Sequence, residues 1–161
     1  MFKISLIGVI AILIFSCTTA TLTTHQTQGI IQLGPGIKMD RGEFGFLYFS
    51  EDGSVFFYES KDVPLEEDIF FGWRIRLITD KEKVIWKEEF IVPEPPTVWG
   101  YGHGTEFDEQ GKIATTEKTV SLKDGWIGHG WFVAAGDPPG TYIMKIYVDG
   151  ALAKTFSFRL E

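Results

Sequence analysis

Cysteine is almost absent from this chain: Cys17 is the single one among 161 residues. An internal disulfide is therefore excluded, and stability outside the cytoplasm has to come from packing. Basic runs are missing as well. Lys and Arg number 15 against 22 Asp and Glu, a formal charge of −7. Such a surface repels phosphate backbones, so nucleic acid is excluded as a partner. Catalytic signatures are equally scarce. There is no Gly-x-Ser-x-Gly elbow and no Ser-x-x-Lys. Gly100-x-Gly102-x-Gly104 copies part of a dinucleotide fingerprint, but no βαβ unit surrounds it. The sequence reads as non-enzymatic, and no cofactor is implied. Beyond the N-terminal stretch no segment carries a helical period, which leaves strands and turns.

What is present begins at the N-terminus. Lys3 precedes an apolar run from Ile4 to Phe15, interrupted by Ser5. The run is shorter than the ~20 residues a spanning helix needs and matches the core of a secretion signal. It ends in Leu13-Ile14-Phe15-Ser16-Cys17, and here the leader resembles a bacterial lipoprotein signal. That resemblance implies cleavage after Ser16, a diacylated Cys17 thiol and usually an acylated amine. Two or more acyl chains give stable anchoring where one does not. An ordinary secreted protein cut after Thr18-Thr19-Ala20 is the alternative, and it would discard the cysteine. Thr18 in place of Asp after the cysteine implies, for a Gram-negative host, the outer membrane facing the periplasm. The expected covalent lipid is the only non-protein group, and the membrane, reached through it, is the expected partner.

The chain then divides into residues 1–16 as signal peptide, 17–28 as lipidated cysteine and tether, and 29–161 as one domain. Loss of Lys3 leaves 14 of the 15 basic residues against 22 acidic ones, a charge of −8. Thr18 to Gln28 is threonine-rich without apolar period, and its eleven residues span at most about 40 Å. His25 within it is expected to be solvated.

Strand signals follow one another through the rest. Glu43 to Ser50 and Val55 to Glu59 flank Asp52-Gly53 and read as a hairpin, apolar on both faces and so expected at the centre of the fold. Lys61 to Asp68 reads as a loop. Ile69 to Thr79 alternates Trp73, Ile75 and Leu77 inward against Arg74 and Arg76 outward. With Val84 to Val92 it is expected to form a second hairpin, ended by Pro93, Pro95 and Pro96. The strongest signal comes last: Thr141 to Val148, the turn Asp149-Gly150, then Ala151 to Leu160. This closing segment, with Tyr-Ile-x-x-Ile-x-Val-Asp-Gly and a Phe-x-Phe strand, resembles the last hairpin of bacterial immunoglobulin-like domains. The implied fold is an all-β, immunoglobulin-like antiparallel sandwich of about 7–9 strands. The antibody-type Cys…Trp…Cys spacing is lacking.

Candidate sites concentrate in two glycine-flanked stretches, Trp99-Gly-Tyr101-Gly-His103-Gly and Trp126-Ile-Gly-His129-Gly-Trp131. Glycine neighbours leave an imidazole accessible, so His103 and His129, with Glu106 and Asp108, are candidate metal ligands, although their spacing matches no recognised zinc site. The bland reading gives the glycines to bulges and turns. Trp99, Tyr101, Trp126 and Trp131 are candidates for binding a glycan or an envelope protein, because loop aromatics dominate interface energetics. Trp73 and Trp86, set in strands, are expected in the core. Glu66-Glu67 and Glu88-Glu89 are adjacent pairs, expected to lie on solvated faces rather than to act as acid and base.

Overall fold

Alternation of apolar and polar side chains governs the chain, and the computed structural model is all-β. It describes residues 29–50, 52, 55–99, 104–122 and 124–161. The leader, Cys17 and the tether lie outside the described residues, as do Tyr101 and His103. In chain order the strands are β1 (Ile31–Gly34), β2 (Ile37–Phe49), β3 (Val55–Glu59), β4 (Asp62–Val63), β5 (Phe70–Thr79) and β6 (Lys83–Ile91). They continue as β7 (Thr105–Phe107), β8 (Ile113–Ser121), β9 (Trp126–Phe132), β10 (Gly140–Val148) and β11 (Ala151–Leu160). Eleven strands are thus described where about 7–9 were expected, because β4 and β7 are too short to carry an alternation.

Two sheets face each other. One runs β1-β2-β5-β9, with β3 also beside β2; the other runs β4-β11-β10-β6-β8-β7. All pairings are antiparallel except β4 with β11. The predicted last hairpin forms as read, with Val148 opposite Ala151. Asp149 and Gly150 both take positive φ, 47° and 82°, as a two-residue hairpin turn of matching twist demands. The inward faces are those the alternation marks: Trp73, Ile75 and Leu77 on β5, Tyr142, Met144 and Ile146 on β10, and Phe156 and Phe158 on β11 are buried. Phe44 of β2 stacks on Phe158 at 4.3 Å between centroids and so ties the sheets together.

Three expectations fail. β5 and β6 are not a hairpin: β5 pairs with β2 and β9, and β6 pairs with β10 and β8. The turn at Asp80–Glu82 carries the chain from one sheet to the other. Alternation tells which side of a strand is apolar, not which sheet it joins, and here the two apolar sides meet face to face. Trp73 packs edge-on against Trp86 at 5.4 Å. Second, β3 is an edge strand rather than a central one, with Phe56 and Tyr58 exposed; of that hairpin β2 alone is flanked on both sides. Third, the expected loop at residues 61–68 holds β4, whose Val63 is fully buried beside Leu160.

Candidate functional site

On β6 the inward positions are Val84, Trp86, Glu88 and Phe90. The neighbouring strands extend these rows sideways. Ala114, Thr116 and Lys118 of β8 lie opposite Phe90, Glu88 and Trp86. Thr105 of β7 lies opposite Thr116, and Phe107 opposite Ala114. The first sheet stops at β9, which covers β6, with His129 5.0 Å from the Trp86 ring and Trp131 5.2 Å from Phe90. Beyond β9 the inner face of β8 and β7 is roofed by the proline-rich segment after β6. Trp99 is pinned there by its indole N–H, which donates to the Gly111 carbonyl at 3.0 Å.

Why His129 and Trp131 point inward is answered by their glycines. Gly128 and Gly130 take the outward positions of β9, where a side chain has no room. A Cβ on Gly130 would come 2.5 Å from both the Phe70 ring and the Phe71 carbonyl oxygen. The glycines therefore serve close strand approach, and they do not leave the imidazole open to solvent. The His129 side chain is 20% exposed and directed at Glu88.

Glu88 is the chemical centre of this wall, and it is 0% exposed. The solvated-face reading holds for its neighbour Glu89 but fails for Glu88. Its carboxylate accepts the Trp73 indole N–H, the Trp131 indole N–H at 2.7 Å, and a contact from His129 Nδ1 at 3.3 Å. A buried carboxylate requires such donors to replace water. The buried indoles in turn require an acceptor. The signal was legible in part: Glu88 interrupts the apolar row of Val84, Trp86 and Phe90, and a charge on a core face needs partners. Which partners it finds depends on the sheet pairing.

Above this wall lies a cleft of about 270 Å³, lined by Phe90, Trp99, Lys118, Trp131, Asp137 and Tyr142 among others. The rings stand at angles to one another: Trp99 to Trp131 at 64° and 6.2 Å, Trp99 to Phe90 at 78° and 6.0 Å. Most polar atoms of the lining are already engaged. The Tyr142 hydroxyl donates to the Pro138 carbonyl at 2.5 Å, and Thr105 and Thr116 hydroxyls pair at 2.8 Å. Asp137 differs. One carboxylate oxygen accepts the Ala134 N–H at 2.9 Å, and burial raises its pKa above the usual carboxylate value against that single bond. Burial, with the nearby Asp137 charge second, also pushes the Tyr142 phenol well up.

Of the residues singled out in the sequence, Trp99, Trp131 and His129 come together here. Trp126 does not. It lies on the outer face of the first sheet, where the Arg74 guanidinium sits between it, at 4.9 Å, and Phe57, at 4.3 Å. Glu106 faces away from His129, since its neighbours Thr105 and Phe107 take the inward positions of β7. Asp108 closes its own loop, accepting the Lys112 and Ile113 N–H groups at 2.6 and 2.8 Å. Among the described residues no group of three or more His, Cys, Asp or Glu is placed to hold a metal. Asp137 was missed, because Gly136-Asp137-Pro138-Pro139-Gly140 carries turn-forming residues and no other signal.

Two facing sheets with an aromatic cleft along one open side define the chain as an immunoglobulin-like β-sandwich. More particularly, the model of the PM0630 beta sandwich domain family matches residues 42–161, and the chain belongs to that family. An immunoglobulin-like protein from Pseudomonas aeruginosa shares the fold at 15% identity and a TM-score of 0.52, over 84% of this chain and 99% of that one. The alkylpurine DNA glycosylase AlkC of Pseudomonas fluorescens, solved bound to DNA with an abasic site analog, aligns at 14% identity and a TM-score of 0.35. That alignment covers 74% of this chain and 30% of the glycosylase, and at such a score it carries neither fold nor function. No curated protein matches the chain in sequence.

Proposed function

We propose that this protein is a lipid-anchored protein of the cell envelope whose sandwich is a non-catalytic binding module, with the Trp99–Trp131 cleft as its binding surface. The observation that carries the reading is the state of the polar atoms in that cleft. Acid–base or nucleophilic catalysis needs a free group within reach of a substrate. Here both indole N–H groups, the threonine pair and the tyrosine hydroxyl are committed to internal bonds. What remains toward a ligand is aromatic surface with the Asp137 carboxylate and the Lys118 ammonium at its margin, and with the lining hydroxyls bonded internally no free nucleophile stands beside them, which suits recognition. The anchor rests on the Leu13-to-Cys17 motif, and the tether would hold the domain clear of the headgroups.

Each half has its own test. Cys17→Ala should abolish fatty-acid labelling and release the protein from the membrane fraction; an unchanged membrane pool refutes the anchor. For the binding module, the full-length protein in maltoside micelles is titrated with aqueous, lipid and glycan fractions of the envelope while the tryptophan indole N–H resonances are followed. Shifts at Trp99 and Trp131 that spare Trp126 support the cleft. Turnover of any fraction, or no shift with all of them, overturns the reading.

A further inference from the structure

We propose that the cleft between Trp99, Trp131 and Asp137 is a site for an organic cation, a quaternary or methylated ammonium seated against the tilted rings with its charge toward the carboxylate. The inference rests on the binding-module reading and names its ligand. Three observations lead to it.

The first is ring geometry. A flat sugar ring stacks on one exposed face and is fixed by hydrogen bonds around its rim. Trp99 and Trp131 instead stand at 64° to each other and form a corner, with the buried Phe90 ring as its floor. A corner of faces encloses a rounded group, and the negative face of each ring attracts a positive one. The second is the shortage of free hydrogen-bonding atoms just described. A hydroxyl-rich ligand would lose its water without replacement, whereas a quaternary ammonium head has no N–H to satisfy, and each methyl on a lesser amine removes one.

The third is charge. Asp137 is half-buried; among the described residues its carboxylate accepts the Ala134 N–H and has no basic side chain in a salt bridge with it. A partly desolvated carboxylate without a counter-charge is the complement of a cation. Trp131 adds to this, since donating its N–H to the Glu88 carboxylate shifts electron density onto the indole face. Lys118, the basic residue of the lining, belongs to the other end. It approaches Trp86, at 6.0 Å from that ring, and Trp86 is four residues along β6 from Phe90. The two rows are thus about 13 Å apart along the strand. The wider surface favours the same sign, with 22 acidic residues against 15 basic.

The probe is choline, compared with 3,3-dimethyl-1-butanol, its neutral isostere, on the full-length protein in maltoside micelles. Choline should move the Trp99 and Trp131 indole resonances and bind at least about tenfold tighter than the isostere, the difference a desolvated cation–π site provides. Asp137→Asn, whose amide oxygen still accepts the Ala134 N–H, should keep the indole spectrum of the free protein and weaken choline by about tenfold. Equal binding of the isostere, an unaffected Asp137→Asn variant, or no shift with choline overturns the cation. If choline fails while an envelope fraction still moves the same two indoles, the cation falls and the binding module stands. If neither moves them, both fall. Phosphocholine tells the source: tighter binding than choline supports a lipid headgroup, weaker binding a free amine.

Discussion

Replacing Glu88 with alanine should be among the most damaging single changes in this domain. The substitution removes the acceptor of two indole N–H groups, one of them on Trp73, which is 2% exposed, and leaves His129 Nδ1 facing a void. Each buried donor left without a partner costs about 1–3 kcal/mol. With two indoles and some cavity, the loss should be about 3–5 kcal/mol, a large part of the ~5–15 kcal/mol of a typical domain. With a urea slope of about 2 kcal/mol per molar, the midpoint falls by about 1.5–2.5 M. Glu88→Gln keeps one acceptor oxygen and turns an NH₂ toward a donor, so it should lose about 1–3 kcal/mol and stays measurable if the alanine variant does not fold. Tryptophan fluorescence follows the transition, and Glu89→Ala is the internal control. Glu89 points outward to Lys87 and Tyr147 and should cost no more than about 1 kcal/mol. Equal midpoints for Glu88→Ala and Glu89→Ala, or a Glu88→Ala loss within about 0.5 kcal/mol, would refute the buried-acceptor reading.

Two further expectations concern the frame around the site. A Cβ on Gly72 would come 2.2 Å from the His129 carbonyl oxygen and 2.6 Å from the Gly130 Cα, both backbone atoms. Gly72→Ala should therefore cost at least about 2 kcal/mol and lower the melting temperature by about 6 °C or more. Gly34→Ala, with open space around it, is the control, and equal melting temperatures would count against the close approach. Asp149 accepts from Lys81 at 2.6 Å and from the Ile85 N–H at 2.8 Å, and these bonds hold its carboxyl below the usual range. Because the folded pKa is the lower one, its stabilisation is complete above the unfolded value near 3.8 and is lost as pH falls through the folded value. The urea-midpoint gap between wild type and Asp149→Asn should shrink from pH 7 to pH 3; a constant gap disproves the linkage.

Much of the architecture could be read from residue order, and the limits have a common cause. The Asp149-Gly150 hairpin was legible because its turn chemistry and both alternating strands are local. The inward faces of β5 and β10 were legible because burial on one side repeats every second residue. Strand pairing between β5 and β6 was not, since Trp73 and Trp86 satisfy the same pattern whether they share a sheet or oppose each other. The same ambiguity hid the site. Glu88 stood out of its row, but its partners on β5 and β9 lie 15 and 43 residues away. Trp99 and Trp131, singled out as aromatics beside glycine-rich loops, both line the cleft, whereas Trp126 shares their setting in sequence and sits on the opposite face of its sheet.

The crossing of the chain between sheets at Asp80–Glu82 also sets how the domain can be assembled. Neither sheet is a run of consecutive hairpins: β5 must wait for β9, and β6 must wait for β10, more than fifty residues later. Only β1–β2, β2–β3, β7–β8 and β10–β11 close locally between neighbouring strands. Loop closure over such separations has to precede the contacts that compensate it, which places folding in the slow, millisecond-to-second class. A chain made N-terminus first completes the first sheet only when β9 arrives and the second only when β11 does. Through that interval the edges of β5 and β6 remain unpaired, so the chain is most exposed to aggregation before its last strands join.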